Sequence, residues 1–253
     1  MKLADALDLA DDEVVALVGG GGKTTAMFSL AREMVDKGGR VITTTTTHIF
    51  AAQIALAPAQ VLAADATRDS VSAALAAHRH VLVIGATNPS SGRAAGPSLD
   101  LFRRLREWCP GACILNEADG SRMLPFKAPA GHEPVIPGET TLVVPVVGAD
   151  VFGQTLDADH VHRPELVSAL SGAALGTPIT PEIVARVLAH PEGGRKGVPP
   201  SARVVVLINK VESLPDRKPA RETAERLLRD PAIHSVVLAT LRGAEPVLEV
   251  CTR

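Results

Sequence analysis

The pattern of apolar and polar positions along the chain alternates between two kinds of segment. Short apolar, β-branched runs predict strands over Val14–Val18, Arg40–Thr44, His80–Ile84, Ala112–Asn116, Thr141–Val147, Arg203–Ile208 and Ser235–Leu238. Amphipathic stretches between them predict helices over Thr24–Lys37, Asp69–Ala77, Ser98–Trp108 and Ala220–Arg229. Apolar strands that alternate with such helices are typical of parallel strands buried on both faces. The predicted fold class is therefore α/β, with a mostly parallel central sheet flanked by helices.

Two segments interrupt this alternation. Residues 120–138 contain four prolines and little periodicity, which predicts a long loop. Residues 157–200 instead carry helix signals, with prolines at the first-turn positions 164 and 181 and a glycine-rich, hinge-like loop at 193–197. We therefore predict one domain over residues 1–253, with a helical insertion at 148–200 between two core strands.

Composition narrows the classes of function. An apolar content of 46% is enough for a core, whereas an aromatic content of 2% leaves few platforms on which bases could stack. A net charge of −2 provides no basic field, so we expect no nucleic-acid partner, and apolar runs far below spanning length predict no membrane partner. Three cysteines without an export signal predict a reduced, cytoplasmic protein.

The strongest chemical signal follows the first predicted strand. Four glycines, Gly19–Gly22, lead into Lys23, Thr24 and Thr25 and then into a strong helix former. This arrangement predicts a phosphate-binding loop, because glycines let the backbone wrap an anion and the helix N-terminus presents N–H groups to it. We expect Lys23 to reach the β- and γ-phosphates, Thr24 to ligate Mg²⁺, and Thr25 to lie on the α-phosphate side.

The match to the full phosphate-loop pattern is incomplete. That pattern requires a glycine where this chain has Leu17, and what remains is the shorter G-x-x-G-K-T from Gly19 to Thr24. The shorter loop resembles the loop of Mur-type amide ligases and, in part, the loops of metallochaperone GTPases. A flexible glycine linker is the alternative, but the strand, loop and helix context favours a P-loop NTPase-like fold.

Acidic residues follow the strand Ala112–Asn116. Ligands of parallel sheets bind at the carboxyl ends of the strands, and Glu117 and Asp119 stand there. Either carboxylate could meet a Mg²⁺ ion held by Thr24, so both are candidate catalytic residues together with Lys23. The sequence does not separate the two, and an ordinary Asp-Gly turn is the alternative.

Hydroxyl and basic residues mark a further set of candidates. Thr46, Thr47 and His48 are expected beyond the end of a strand, where they could contact the γ-phosphate, Mg²⁺ or an attacking group. Loop residues that could bind an anionic second substrate are Arg122, Lys127, His162 and Arg163. The alternative for each of these is a solvated surface side chain.

A base-recognition signal follows the strand Arg203–Ile208. Asn209-Lys210-Val211-Glu212 resembles the N-K-x-D of guanine-specific GTPases, in which the aspartate accepts hydrogen bonds from the base. Glu212 replaces that aspartate and moves the carboxylate by more than ~1 Å, so the motif favours GTP without excluding ATP. The alternative is a strand-ending asparagine followed by solvated charges.

Several blocks together resemble one family. GGGGKTT at 19–25, TTTTTHI at 43–49, and the segments Asn116–Pro137, Val161–Glu165 and Val205–Glu212 are similar to those of YqeC proteins. That family is described as an accessory protein of selenium-dependent molybdenum hydroxylases. The resemblance implies a P-loop protein that uses Mg²⁺ and ATP or GTP, with such a hydroxylase or its cofactor as a partner.

Three functional hypotheses follow. The first is a Mg²⁺-dependent nucleotide hydrolase that assists maturation of the hydroxylase. The second is an ATP-dependent transferase or ligase that acts on a small anion or a molybdopterin-type cofactor. The third is a chaperone that binds nucleotide without hydrolysing it.

Overall fold

A nine-stranded sheet forms the centre of the part of the chain that the computed structural model describes, residues 1–215 and 217–253. The strands of the described chain are β1 (Val14–Gly19), β2 (Val41–Thr45), β3 (His48–Phe50), β4 (Gln60–Leu62), β5 (His80–Ile84), β6 (Thr87–Asn88), β7 (Arg93–Ala95), β8 (Cys113–Glu117), β9 (Phe126–Lys127), β10 (Leu142–Gly148), β11 (Val161–His162), β12 (Arg203–Asn209), β13 (Ser235–Ala239) and β14 (Val247–Cys251). The α-helices are α1 (Leu3–Ala6), α2 (Lys23–Asp36), α3 (Ala51–Ile54), α4 (Arg68–His78), α5 (Leu99–Trp108), α6 (Pro164–Ser171), α7 (Pro181–Ala189) and α8 (Lys218–Leu227).

The main sheet has the order β14-β13-β12-β10-β1-β8-β2-β5-β4. All neighbouring pairs are parallel except β13 and the edge strand β14. Strand β1 therefore lies in the middle, between β8 and β10, and its carboxyl end opens beside theirs. This topology confirms the α/β prediction and is consistent with a P-loop NTPase-like fold.

Apolar residues of β1 alternate between two covered faces. Val15 and Leu17 pack with α1 and α2, whereas Val14 packs with residues of α4 and α5. All three are fully buried. Helices on both faces explain why the strands are continuous apolar runs rather than alternating ones.

Two small sheets stand at the carboxyl edge of the main sheet. One has the antiparallel order β3-β7-β6, and the other pairs β9 with β11 in parallel, so that Lys127 lies opposite His162. Strand β9 falls inside the segment 120–138, which we predicted to be a loop, and that prediction is wrong at these two residues. Strand β9 is only two residues long, so it shows no alternating pattern from which it could have been predicted.

The segment between β10 and β12 contains β11, α6 and α7. Helix α7 packs beside α8 through buried aliphatic side chains such as Val184 and Leu227. The treatment of residues 148–200 as an insertion stays a prediction. Among the described residues, no helix has the length and apolar character that a bilayer crossing needs.

Candidate nucleotide site

The glycine loop follows β1 and is wedged against the backbone at the end of β10 and against the side chain of Asn209 on β12. A Cβ atom on Gly21 would lie 2.1 Å from the backbone nitrogen of Gly148, and one on Gly22 would lie 2.4 Å from Nδ2 of Asn209. Both glycines also have positive φ angles, of 77° and 133°. Positions 21 and 22 therefore require glycine for two independent reasons: a Cβ atom has no space, and the φ angles are positive. A flexible linker would have neither requirement.

The N–H groups of the first three glycines are satisfied inside the protein. Gly19 donates to the Asp119 carboxylate at 3.0 and 3.1 Å, Gly20 to the Val146 carbonyl at 2.9 Å and Gly21 to the Leu124 carbonyl at 3.1 Å. This differs from the predicted loop, in which the backbone of the glycines wraps an anion. The difference arises because the loop packs against chain segments that the local sequence does not reveal.

The N-terminus of α2 supplies the open donors instead. Within the described chain, no acceptor receives the N–H groups of Gly22, Lys23, Thr24 and Thr25, and all four residues line one cleft. Unpaired N–H groups at the start of a 14-residue helix also carry the positive end of its dipole. The anion-binding capacity is therefore concentrated at residues 22–25.

The Lys23 ammonium is held at the centre of the site. It is 3% exposed, donates to the Gly19 carbonyl at 2.6 Å and lies 3.2 Å from Asp119 Oδ1 and 3.7 Å from Glu117 Oε1. Burial disfavours its charged form, but the two carboxylates outweigh burial and raise the pKa of Lys23 above its ordinary value. The lysine is therefore a buried, permanent cation.

Thr24 and Glu117 form the pair that could hold a metal ion. The Thr24 hydroxyl donates to Glu117 Oε2 at 2.6 Å, and both residues line the cleft. Burial raises the pKa of Glu117 above its ordinary value against the opposing effect of Lys23. A Mg²⁺ ion there would take the threonine and glutamate oxygens and complete its octahedron with phosphate and water oxygens.

Asp119 occupies a different position. Its carboxylate accepts the Gly19 N–H group and lies within 3.2 Å of Lys23 on one side and 3.1 Å of Lys127 Nζ on the other. It is 1% exposed and does not line the cleft. Of the two acidic candidates, Glu117 is thus the one beside Thr24. No group of three or more histidine, cysteine, aspartate or glutamate residues suited to a metal occurs in the described ranges.

Lys127 is buried rather than solvated or open to a substrate. Its ammonium bridges Asp119 at 3.1 Å and Glu133 at 2.5 Å, and Glu133 in turn accepts two hydrogen bonds from Arg163, at 2.9 and 3.1 Å. Burial opposes ionisation of Glu133, but the bonds from Arg163 and Lys127 lower its pKa to about 2. A continuous chain of alternating charges, which we call the ion-pair chain, therefore runs through Lys23, Asp119, Lys127, Glu133 and Arg163. The structure therefore does not bring Lys127 to the cleft with the other second-substrate candidates, because both its charge and its donors are used internally.

The cleft in front of the loop has a volume of about 670 Å³, which is within the range of small-molecule sites. Its lining includes Thr46, Thr47 and His48, and a wall beside β9 and β11 that carries Arg122, His162 and Arg163; all six are predicted candidates. The Thr46 hydroxyl donates to the Val135 carbonyl at 2.7 Å, so it fixes the wall rather than offering a free donor. The structure thus brings five of the seven nucleotide-loop candidates, residues 21–25, and six of the seven second-substrate candidates to one cleft, whereas Gly19 and Gly20 do not line it.

Sequence reasoning missed two arginines of this cleft. Arg93 on β7 stands over the ring of Phe50, with its guanidinium carbon 4.5 Å from the ring centroid, and Arg242 follows β13. Both are exposed. Each is a lone arginine outside any periodic pattern, so the only usable signal was the position of Arg242 after a buried strand.

The three residues of the base-recognition motif separate in space. Asn209 donates to the Gly21 carbonyl at 2.8 Å and accepts from the Leu241 N–H group at 3.1 Å, so it positions the loop. Lys210 lines the cleft and pairs with Asp150 at 2.6 Å. Glu212 lies outside that cleft and accepts from the Thr240 hydroxyl at 2.7 Å, beside a second pocket of about 460 Å³.

The remaining histidine and cysteine candidates do not form a second centre. His160 bonds Asp157 at 2.8 Å outside the cleft, whereas His162 lies in it. Burial, together with Arg163, Lys127 and Arg122, lowers the pKa of His162 to about 4, so its ring is neutral at pH 7. All three cysteines are free, and burial raises the pKa of the Cys113 thiol, which is consistent with a structural role.

Fold and site together define an α/β protein with a glycine loop and an acidic strand end at one sheet edge. The model of the family described as YqeC protein matches residues 15–165. An Escherichia coli (strain K12) protein, named "Uncharacterized protein YqeC", is 31% identical over 202 residues, which cover 78% of this chain and 75% of that protein. The chain therefore belongs to the YqeC family. No solved structure gives a significant match.

Proposed function

We propose that the protein is a Mg²⁺-dependent nucleoside triphosphatase that binds ATP or GTP in the described cleft. One observation carries the proposal: four open N–H groups, the buried Lys23 ammonium and the Thr24–Glu117 pair converge on the same space. Phosphoryl transfer needs positioning and charge stabilisation more than covalent chemistry, and this set of groups supplies both.

Each group has a distinct task in this proposal. The N–H groups of residues 22–25 would hold the phosphate oxygens, and Lys23 would turn from its carboxylate partners toward the β- and γ-phosphates. Thr24 and Glu117 would hold Mg²⁺, which would neutralise charge that develops on the transferred phosphoryl group. Because no cleft residue is evidently placed as a water-activating base, we expect turnover to be slow and to be stimulated by a partner.

The nucleotide and its biological setting are parts of the same proposal. Lys210 lines the cleft, where it could cover a base, whereas Glu212 lies outside it and is bonded to Thr240, so the motif does not choose between GTP and ATP. The family resemblance supports a role in maturation of a selenium-dependent molybdenum hydroxylase.

A transferase is the second candidate, and one observation favours it. The cleft continues past the loop to Arg122, His162 and Arg163, which a simple hydrolase would not need. An acceptor bound there would take the place of water.

Calorimetry tests the proposal. ATP and GTP, each with and without Mg²⁺, are titrated into the wild type, into Lys23→Ala and into the matched control Arg32→Ala, which removes an exposed cation outside the cleft. We expect one nucleotide to bind with Mg²⁺, and binding to be lost in Lys23→Ala but kept in the control. Circular dichroism shows whether Lys23→Ala is folded, and Thr24→Val provides a second loop variant. Binding of neither nucleotide to the wild type would overturn the proposal.

Phosphate release then separates the hypotheses. Slow release of phosphate from the bound nucleotide supports the hydrolase, whereas tight binding without any release supports a non-hydrolysing chaperone. Appearance of a phosphorylated or nucleotidylated acceptor would favour the transferase.

A further inference from the structure

The cleft holds a group of cationic and neutral donors that the nucleotide loop does not use. Arg122 is exposed, stands on a turn with a φ of 51°, and forms no ion pair or hydrogen bond with any residue of the described ranges. Arg163 lines the same wall, with its guanidinium fixed by two hydrogen bonds to Glu133. These residues lie on two chain segments that β9 and β11 join.

His162 adds an independent observation. Its side chain lines the cleft although the residue is only 9% exposed, and its ring has no hydrogen-bond partner among residues 1–215 and 217–253. Its ring nitrogens are not among the buried unpartnered atoms of the described chain, so they are open to the cleft and available to a ligand. Burial and the neighbouring cations keep the ring neutral, so one nitrogen can donate and the other can accept.

We infer that Arg122, His162 and Arg163 form a second anion subsite, beside the nucleotide loop, for the phosphate of a phosphomonoester-type second substrate. The inference rests on the proposed function only for the identity of the neighbouring ligand. Its own basis is the convergence of an unpaired arginine, a fixed arginine and an unpartnered buried histidine on one wall.

The donor set suits a phosphate better than a carboxylate. Two guanidinium groups and an imidazole offer more N–H donors than the two oxygens of a carboxylate can accept, even after Glu133 takes two from Arg163. Charge leads to the same conclusion. Around this wall, four cations (Lys23, Lys127, Arg163 and Arg122) face three carboxylates (Glu117, Asp119 and Glu133), so one excess positive charge remains.

Inorganic phosphate is the probe that tests the subsite, with chloride at equal ionic strength as the reference. It is titrated calorimetrically into the wild type saturated with Mg²⁺ and a non-hydrolysable analogue of the nucleotide that binds. It is also titrated into nucleotide-free Lys23→Ala, which lacks the cation of the loop. Both titrations are repeated with Arg122→Gln and with the matched control Arg32→Gln.

We expect phosphate to bind in both backgrounds and Arg122→Gln to weaken it about tenfold or more, with no change in Arg32→Gln. His162→Gln should also weaken phosphate binding. That result would show that several residues of this wall bind phosphate, and that the charge of Arg122 does not act alone. Phosphate binding that is absent, or equal in Arg122→Gln and Arg32→Gln, would overturn the inference. If no nucleotide binds but Arg122-dependent phosphate binding persists in Lys23→Ala, the proposed function fails while the subsite stands.

Discussion

Charged side chains at the bottom of the cleft are buried and paired, whereas three arginines along its rim are exposed and have no ion-pair partner among the described residues. The ion-pair chain that begins at Lys23 and ends at Arg163 alternates in sign, and each of its contacts is 3.2 Å or shorter. Arg93, Arg122 and Arg242 on the rim form no ion pair with any part of the described chain. The two regions are therefore expected to respond differently to mutation.

The buried charges set the geometry of the cleft, whereas the exposed charges at its rim are available to bind a ligand. A buried ion pair recovers little more than the cost of removing its charges from water, so it contributes position more than stability. In this cleft the ion-pair chain fixes the glycine loop through Asp119 and the second wall through Glu133. The rim arginines have no carboxylate partner among the described residues, so their charges are left to interact with an anion that enters.

Removing Lys127 should have the largest effect on stability. In Lys127→Met, the carboxylates of Asp119 and Glu133 would share a buried site without the cation between them. We expect the free energy of unfolding to fall by about 3–5 kcal/mol, measured by urea denaturation. Arg122→Gln removes an equal charge from the rim and should change it by less than about 0.5 kcal/mol. Equal losses in the two variants would show that the regions do not differ.

The difference in stability between wild type and Glu133→Gln should depend on pH, because Glu133 is part of the ion-pair chain. The folded pKa of Glu133, about 2, lies below its ordinary value of 4.5, so its ionisation stabilises the fold above pH 4.5. That contribution is lost as pH falls from about 4.5 toward 2, because the unfolded chain binds the proton first. We expect the stability gap between wild type and Glu133→Gln to shrink over this window by at most about 3 kcal/mol.

Thermal or urea unfolding between pH 7 and pH 3 measures that gap. Glu107→Gln is the matched control, since Glu107 is exposed and has no ion pair within the described residues. A gap for Glu133→Gln that stays constant below pH 4.5 would contradict the assignment.

The core of the fold could be predicted from the sequence, but its edges could not. The central parallel strands are long and apolar on both faces, so periodicity alone located them. Strand β4 is three residues long and partly exposed, and β14 is an antiparallel edge strand with intermediate burial, so neither carries a strong pattern. Strands β9 and β11 depend on each other across 35 positions of sequence.

The site was predictable where chemistry follows a strand directly. Lys23, Thr24 and Glu117 fall where the sequence places them, because the ends of adjacent parallel strands meet. The pairing of Asp119 with Lys127 was not predictable, since Lys127 lies in a proline-rich segment and was predicted to contact an anionic second substrate. Pairing between residues distant in sequence is a tertiary property, and local pattern carries no signal for it.

Thr24 lies between the buried ion pairs and the proposed ligand, and its substitution should have an effect of intermediate size. Thr24→Val keeps the shape but removes the hydroxyl that bonds Glu117 at 2.6 Å. We expect the gain in nucleotide affinity on adding Mg²⁺ to fall by about 2 kcal/mol, on the order of 30-fold, in calorimetric titrations. Thr24→Ser keeps the hydroxyl and should retain most of the gain. A Mg²⁺ effect that survives in Thr24→Val would exclude this residue as a metal ligand.

Arg242→Gln should have the smallest effect and tests the rim alone. The side chain is exposed and without an ion pair among the described residues, so its attraction for a bound nucleotide acts through water and is screened by salt. We expect nucleotide affinity to fall by at most about 1 kcal/mol at low salt, with the difference vanishing at high salt. A larger loss that persists at high salt would mean that Arg242 becomes buried against the ligand. The rim would then close when the ligand binds, and Arg242 would become buried and paired like the residues at the bottom of the cleft.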